Sequence, residues 1–398
     1  MDVENELSQG GMEMAAFIMT ESHEFITNLL SYLPAKCLCS CARVCKSWHK
    51  ISQRLIKNRH EMSWSCVNGL EDNTCMLPSG DSQAHPMATF EVDLNECLKT
   101  MSSIPKHALL FTEFLSWKES AKFNGSQSNA SSRGLRELTD IVRSKLPEGC
   151  TLLSLHTPGT FGTKRDLKLL EESESEGGIS CLLLPEMENV RILQFSSTTN
   201  HSKELKKKYP QELMTEICGG CAADEVKCIL LFGGMSHHNC QWTAETLQKA
   251  FYQELGKVPV IAGALVRKVK TTEPLSVGGL VFSGANVQAA SVLLNEFVST
   301  KADIKRQLAP LKNLNLEKGR RTIGFMFACI GRGLNHYCEE NVESQVFREC
   351  FPDTPLFGLF GNGEIGRENL TLMEDTKSYK LPEVVHGYTT VVVLISIK

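Results

Sequence analysis

The spacing of hydrophobic positions divides the chain into two parts with different periodicities. Over residues 21–62, apolar residues recur every three or four positions, which predicts short amphipathic helices. Ile26 and Leu33 share one face of the first helix, and Pro34, which cannot continue that helix, suits the first turn of the next. From about residue 64 onward, the apolar residues form continuous runs of strand length instead.

Nine apolar runs in the second part predict strands, and helical patterns lie between some of them. The runs are TLLSLH (151–156), ISCLLLP (179–185), VRILQF (190–195), VKCILLF (226–232), VPVIAGAL (258–265), GGLVFS (278–283), TIGFMFAC (322–329), TPLFGLF (354–360) and YTTVVVLISI (388–397). The helical patterns are RGLRELTDIVRSKL, TAETLQKAFYQEL, KADIKRQLAPLKNL and NVESQVFREC. Such strands, apolar along their whole length, predict mixed sheets buried under helices.

The chain of 398 residues is too long for one small core, so we expect several domains. The predicted fold class is α+β, with a small N-terminal three-helix segment followed by a two-part mixed α/β body with buried sheets. We expect a disordered tail at 1–20, the helical segment at 21–62, and two halves of the body at 64–240 and 241–398. The polar stretch MSHHNCQ marks the predicted division between the halves.

Composition and charge argue against several classes of function. The net charge of −4 gives no reason to expect a nucleic-acid partner. The longest apolar runs, such as VVVLISI, are too short to span a bilayer, so no membrane partner is expected. The 16 cysteines are scattered through predicted helices and strands, and no secretory signal opens the chain, which favours reduced thiols in an intracellular protein.

The N-terminal helices carry more apolar side chains than they can bury among themselves. A segment of about 40 residues holds too small a core to fold robustly alone. Each large apolar side chain contributes about 1.5–3 kcal/mol when it is fully removed from water, so the body or another protein must cover the surplus. Residues 36–60 also carry seven basic and no acidic side chains, which favours an acidic partner. A solvated basic face would explain the charge, but not the apolar surplus.

This segment resembles an F-box over about residues 22–60. LLSYLPAKCLCSCARVCKSWHKI has a Leu-Pro turn, a leucine-bearing second helix and then Val-Cys-x-x-Trp, although SHEF replaces the usual opening Leu-Pro. The resemblance implies docking on the Skp-family adaptor of a cullin-RING (SCF) ubiquitin ligase. The residues we expect to contact the adaptor are Leu33, Pro34, Leu38, Val44, Cys45, Trp48 and Ile51. Alternatively, Trp48 belongs to the small helical core, in which case its mutation would unfold the segment.

Two glycine turns follow predicted strands in the C-terminal part. GNGEIG (361–366) fits the dinucleotide fingerprint, but neither a clear helix nor a suitably placed acidic residue follows, so no nucleotide cofactor is expected. The second turn closes TIGFMFACIGRG, and glycines at such turns permit positive φ and close approach of another group. If the two turns share one sheet edge, their polar side chains form the rim of a substrate or ligand pocket: Cys329, Arg332, Asn362 and Glu364. Alternatively, Arg332 pairs with Glu364 or both face solvent.

GFMFACIGRG and PLFGLFGNGEIG resemble the C-terminal half of the FIST domain, most clearly over 322–366. FIST domains are regarded as ligand-sensing modules of bacterial signalling. Joined to an F-box, the resemblance implies a non-catalytic receptor that holds protein substrates for ubiquitination and degradation. It implies nuclear and cytoplasmic targets, among them chromatin and transcription regulators such as histone lysine demethylases. A small-molecule sensor coupled to degradation and a cysteine-dependent enzyme remain as alternatives.

Two cysteine patterns suggest other chemistry. CGGC (218–221) has the spacing of half a zinc site, but its possible partners are irregularly placed and Cys228 lies inside an apolar strand, so no metal is expected. Cys329 beside Arg332 is a candidate for a thiol of lowered pKa. An enzyme would also need an oriented base, and nothing in the sequence positions His156 or His336 for that role.

Overall fold

The computed structural model describes residues 22–67, 86–113, 130–165, 167, 170–174, 178–198, 204, 207–234, 237–271, 274–370 and 381–398. The disordered tail predicted at 1–20 lies outside these residues. The helices are α1 His23–Ser31, α2 Ala35–Cys41, α3 Lys46–Lys57, α4 Pro86–Thr100, α5 Ala130–Lys145, α6 Pro210–Ile217, α7 His237–Leu255, α8 Lys301–Asn313, α9 Leu334–Tyr337 and α10 Val342–Cys350.

Strands β1–β18 follow the three N-terminal helices and alternate with the remaining helices. They are β1 Ser63–Val67, β2 Pro105–Glu113, β3 Thr151–Thr157, β4 Gly159–Thr163, β5 Leu170–Glu174, β6 Ile179–Pro185, β7 Arg191–Ser197, β8 Val226–Gly233, β9 Val260–Leu265, β10 Lys268–Lys270, β11 Pro274–Leu275, β12 Val277–Ser283, β13 Val287–Leu294, β14 Arg321–Cys329, β15 Leu356–Gly361, β16 Glu364–Ile365, β17 Val385–His386 and β18 Thr390–Ile397.

The predicted fold class is confirmed. Each of the nine apolar runs contains a strand, and each of the four helical patterns contains a helix. Most of the runs are continuously apolar because both faces of their strands are buried, whereas β7 is only partly buried. In β14, for example, Phe325 and Phe327 face a central core, whereas Met326 and Ala328 face a layer of helices.

The described strands form three six-stranded sheets with the same internal order. The orders are β1-β6-β2-β3-β10-β11 in sheet 1, β7-β12-β8-β9-β16-β17 in sheet 2 and β13-β18-β14-β15-β4-β5 in sheet 3. Each sheet holds one parallel pair, β2–β3, β8–β9 or β14–β15, joined through the helices that lie between its strands in the chain. The body therefore consists of three structural repeats, which we call units 1, 2 and 3 (63–185, 191–283 and 287–397).

Each unit gives one pair of strands to the sheet of another unit. Strands β4 and β5 of unit 1 lie in sheet 3, β10 and β11 of unit 2 lie in sheet 1, and β16 and β17 of unit 3 lie in sheet 2. The exchange is cyclic, so every sheet contains strands from two units. The predicted division near residue 240 falls within α7, and both of the halves that it would create contribute strands to all three sheets.

The inner faces of the three sheets share one hydrophobic core. Phe111, Phe232 and Phe327, one from each sheet, belong to it, and the rings of Phe232 and Phe327 meet edge to face with their centroids 5.6 Å apart. The outer faces are covered in matching fashion by helices α4 and α5, α6 and α7, and α8 and α10. Each sheet therefore lies between the shared core and a layer of helices. Packing on both faces of the sheets fixes the turns at the strand ends and the side chains that these turns carry.

Candidate functional site

The three N-terminal helices pack around a core of only four buried apolar side chains. These are Ile26, Leu30, Leu38 and Ile51. Four other large apolar side chains of the same segment remain exposed: Phe25, Leu29, Tyr32 and Val44. Tyr32 is 82% exposed and Val44 is 64% exposed, so neither the helices nor the described body covers them. We call these four residues the apolar stripe.

Helical spacing explains the first three members of the apolar stripe. Residues 25, 29 and 32 are separated by four and three positions, which places them on one side of α1, next to the buried face that holds Ile26 and Leu30. Our sequence analysis counted these three side chains in the apolar surplus but left open whether Leu29 or Leu30 lies on the packed face. The signal was present as two parallel apolar patterns on a helix of nine residues.

The residues predicted to contact the adaptor have unequal exposure. Val44 is exposed, whereas Leu33, Pro34, Cys45 and Trp48 are half-buried. Leu38 and Ile51 are 0% and 1% exposed in the helical core. Leu38 and Ile51 have almost no accessible surface that an adaptor could cover. They therefore support the adaptor-binding surface from inside the helical core.

Exposed basic side chains lie on the same helical segment as the apolar stripe. Six of the seven basic residues between 36 and 60 are exposed: Lys36, Arg43, Lys46, Lys50, Arg54 and Lys57. The segment thus combines an exposed apolar surface with a net positive charge, which suits a partner with an apolar patch and acidic side chains.

Arg59, the seventh basic residue, joins the helical segment to the body. Its guanidinium donates hydrogen bonds to the carbonyl oxygens of Leu33 at 2.5 Å and Ser102 at 3.3 Å. The backbone N–H of Ala35 also donates to the carbonyl of Met101 at 3.0 Å. Because Met101 and Ser102 connect α4 to β2, these bonds hold the apolar stripe in a set position relative to unit 1.

Three of the four predicted rim residues meet where strands of units 2 and 3 end. Cys329 and Gly361 are the last paired residues of β14 and β15, Asn362 follows as an exposed residue, and Glu364 begins β16 beside β9. Gly363 has a φ of 137°, which the left-handed turn between β15 and β16 requires. The predicted juxtaposition of the two glycine turns at one edge is present.

Glu364 is a buried carboxylate that favours its protonated form. Its Oε2 accepts hydrogen bonds from the Thr389 hydroxyl at 3.0 Å and the Thr389 N–H at 3.3 Å. Burial nevertheless outweighs these bonds and raises the pKa of Glu364 to about 7. Burial also raises the pKa of the neighbouring Cys329 thiol, and the Glu364 carboxylate adds to the rise. The candidate of a thiol with lowered pKa is therefore contradicted, because no cation among the described residues faces the sulfur closely enough to offset its burial.

Arg332, the fourth predicted rim residue, lies inside the protein. Its Nε donates to Oε1 of Glu343 at 2.7 Å, and the two side chains are only 1% and 2% exposed. The same guanidinium donates to three backbone carbonyls, those of Asn295, Val298 and Tyr388, at 3.0–3.2 Å. The alternative pairing with Glu364 is thus wrong. Arg332 binds three chain segments together rather than facing a pocket.

The segments gathered by Arg332 expose four large apolar side chains. These are Phe297, Ile330, Leu334 and Tyr388, which we call the rim patch. Gly331 leaves space for the Tyr388 ring, since a Cβ at position 331 would lie 3.2 Å from it. Sequence reasoning missed the patch because its members come from loops far apart in the chain. Clusters of exposed apolar residues of this kind mark protein-binding surfaces.

The protonation of Glu364 makes stability depend on pH. Between pH 4.5, its ordinary pKa, and about 7, the folded protein holds a proton that the unfolded chain releases. The contribution of Glu364 to the free energy of unfolding should therefore fall as pH rises through this window and level off above it, whereas buried His156, whose pKa is lowered to about 3, contributes in the opposite direction. We expect Glu364→Gln to remove this decline and to be more stable than wild type at pH 8 by about 1–3 kcal/mol.

Urea unfolding of both proteins at pH 5, 6, 7 and 8 measures the effect. Glu340→Gln, which changes an exposed carboxylate of unit 3, is the matched control and should follow wild type. Parallel pH curves for wild type and Glu364→Gln would show that Glu364 is ionised in the folded protein.

Two other kinds of site can be checked against the described residues. Within them, no cluster of three or more His, Cys, Asp or Glu side chains is arranged to hold a metal ion. No described helix combines the length and hydrophobicity that crossing a membrane requires.

Comparison with known families matches both parts of the chain. Residues 23–60 match the F-box-like family, and residues 222–367 match the FIST C domain. F-box only protein 22 of Homo sapiens is 30% identical over 96% of this chain and 94% of its own length. The protein of the same name from Pongo abelii is 29% identical over the same shares.

Solved structures offer a more distant likeness. Two cyanuric acid hydrolases, one of them from A. caulinodans, align with TM-scores of 0.40 and 0.38 and 9% sequence identity. Each alignment covers 85% of this chain and 100% of the hydrolase chain. A likeness at this level carries no argument about activity.

Proposed function

We propose that this chain, which belongs to the F-box only protein 22 family, is the substrate receptor of an SCF ubiquitin ligase. The apolar stripe on the F-box helices carries the proposal, because a stable soluble protein leaves such a surface uncovered where a partner binds. The partner is a Skp-type adaptor, which connects the receptor to a cullin-RING scaffold. The positive charge of the helical segment speeds the encounter with an acidic adaptor surface.

The receptor itself makes and breaks no bond. It holds a target protein at a set distance from the ubiquitin-carrying enzyme, so that transfer to a target lysine becomes effectively intramolecular. Rigid attachment of the F-box through Arg59 and the Ala35–Met101 hydrogen bond supports this role. A flexible connection would lower the effective concentration of the target lysine near the ubiquitin-carrying enzyme. The raised pKa of the Cys329 thiol also argues against covalent catalysis at the rim.

The rim patch is the proposed surface for the target. It lies in unit 3, separate from the F-box helices that pack on unit 1, so both surfaces can be occupied together. We propose nuclear and cytoplasmic targets, including chromatin regulators such as histone lysine demethylases. The exposed Asn362 provides a polar group near Ile330 of the patch, whereas Glu364 is buried beneath this surface.

Ubiquitin transfer in a reconstituted ligase tests the target surface. With a histone lysine demethylase as substrate, we expect Phe297→Glu combined with Tyr388→Glu to slow transfer by at least about tenfold, because two exposed aromatic anchors are replaced by charges. Adaptor binding should be unchanged. The matched control combines Tyr209→Glu and Tyr252→Glu, two exposed aromatic residues of unit 2.

The possible outcomes separate the two claims. Normal transfer by the Phe297/Tyr388 variant would reject the rim patch as the target surface. A wild-type ligase that assembles but leaves the demethylase unmodified would reject that substrate class and leave the receptor role intact.

A further inference from the structure

A groove of about 480 Å³ lies where the F-box helices meet unit 1. One wall belongs to α2, and the opposite wall belongs to the end of α4 and the segment that leads into β2. A volume of this size is typical of sites for small organic ligands. The groove lies on the body side of α2, whereas the apolar stripe lies on α1 and at Val44.

The floor and the rim of the groove have different chemistry. Leu98, Met101 and Ile104 form an apolar floor. Every ionisable side chain among the described lining residues, apart from the Cys39 thiol, is a lysine: Lys36, Lys99 and Lys145. No described carboxylate lines the groove, so its field is positive.

The three ammonium groups are not equally available to a ligand. Lys145 pairs with Glu91, with 2.8 Å between Nζ and Oε1. Lys36 and Lys99 are exposed, and neither forms an ion pair with any described residue. An anion placed between Lys36 and Lys99 would therefore gain two attractions without breaking an existing pair.

We propose that this groove binds an anionic amphiphile, a small molecule with one carboxylate-like head group on an apolar chain. The chain lies on the apolar floor, where its burial supplies most of the affinity. The head group lies between Lys36 of the F-box and Lys99 of unit 1. The concave shape favours such a molecule over a protein segment, which would need a larger and flatter surface.

Because the groove lies between the F-box and unit 1, a bound ligand affects the connection between these two parts. The walls of the groove come from the F-box segment, which holds the adaptor, and from unit 1, which joins that segment to the rest of the body. A ligand that touches both walls stabilises their native arrangement in proportion to its occupancy. Binding would therefore stiffen the joint formed by Arg59 and the Ala35–Met101 hydrogen bond.

Isothermal titration of the full chain with dodecanoate, below its micelle concentration, tests the proposal. We expect saturable binding of one molecule, and weaker binding of octanoate by at least about tenfold because four methylene groups are lost. Dodecan-1-ol should also bind more weakly by at least about tenfold, because it lacks the charge. The key variant is Lys36→Glu with Lys99→Glu, which should weaken dodecanoate binding by at least about tenfold.

A variant with the same change in net charge is the control. Lys249→Glu with Lys257→Glu alters two exposed lysines of unit 2 and should bind dodecanoate as wild type does. The proposal would be overturned if the wild-type protein failed to bind dodecanoate. It would also be overturned if the Lys36/Lys99 variant bound dodecanoate as tightly as wild type and had an unchanged melting temperature, which shows that it is folded. No adaptor or ubiquitin is present in this experiment, so its outcome is independent of the receptor function.

Discussion

Replacing Tyr32 and Val44 together with glutamate is expected to weaken binding of a Skp-type adaptor by at least about a hundredfold. Both side chains belong to the apolar stripe and are largely exposed, so the change should leave the fold intact. Buried apolar anchors at the centre of an interface commonly contribute about 2 kcal/mol or more each, and 1.4 kcal/mol corresponds to a factor of ten in Kd. Burying two new carboxylates adds a desolvation cost.

Titration of the adaptor into the full chain, followed by calorimetry, measures this effect. The control replaces Tyr209 and Val92, an equally exposed tyrosine and valine of the body, with glutamate. Unchanged circular dichroism and melting temperature would establish that both variants are folded. Adaptor binding within threefold of wild type by the Tyr32/Val44 variant (about 0.6 kcal/mol) would show that the stripe is covered by something else.

Replacing Arg332 with methionine should produce the largest loss of stability among single substitutions considered for the rim. Removal of one partner from a buried ion pair typically costs about 3–5 kcal/mol, because the remaining charge has neither water nor a counter-ion. The substitution would leave Glu343 buried without its ion-pair partner, and three backbone carbonyls would lose a hydrogen-bond donor. The segments that carry Phe297 and Tyr388 should loosen as a result.

Urea unfolding quantifies the loss, and an exposed ion pair of the same region provides the comparison. Lys305→Met breaks the pair with Glu349, whose atoms are 3.3 Å apart and more than half exposed, and should cost about 1 kcal/mol or less. Arg332→Met combined with Glu343→Gln should recover part of the lost stability, since it removes the stranded charge. A loss below about 1 kcal/mol for Arg332→Met alone would contradict the stabilising role assigned to this buried pair and to the three carbonyl bonds.

Most of the strands that the sequence predicted share one physical property. Strands such as β14 are buried on both faces, so their apolar runs are visible in the sequence without knowledge of neighbours. Some of the strands that the analysis missed depend on their partners instead. β4 has the sequence GTFGT and β5 has LEESE, and both are strands because β15 offers an edge that begins their pairing.

The candidate sites show the same limit. Leu38 and Ile51, which were expected to contact the adaptor, are buried among the three helices, because periodicity marks an apolar face but not what covers it. The glycine turns correctly brought Cys329 to the same edge as Glu364. The partner of Arg332 could not be found in this way, because Glu343 reaches it from a following helix through packing that no local pattern encodes.

The cyclic exchange of strands between units sets the order in which the protein can be completed during synthesis. Sheet 1 lacks β10 and β11 until residue 275 has left the ribosome, and sheet 3 cannot receive β4 and β5 until β15 is made. Contacts between residues so far apart in the chain form slowly and leave strand edges open in the meantime. The nascent chain therefore has unpaired strand edges until β18 is made, because β18 is the strand that pairs with both β13 and β14 in sheet 3.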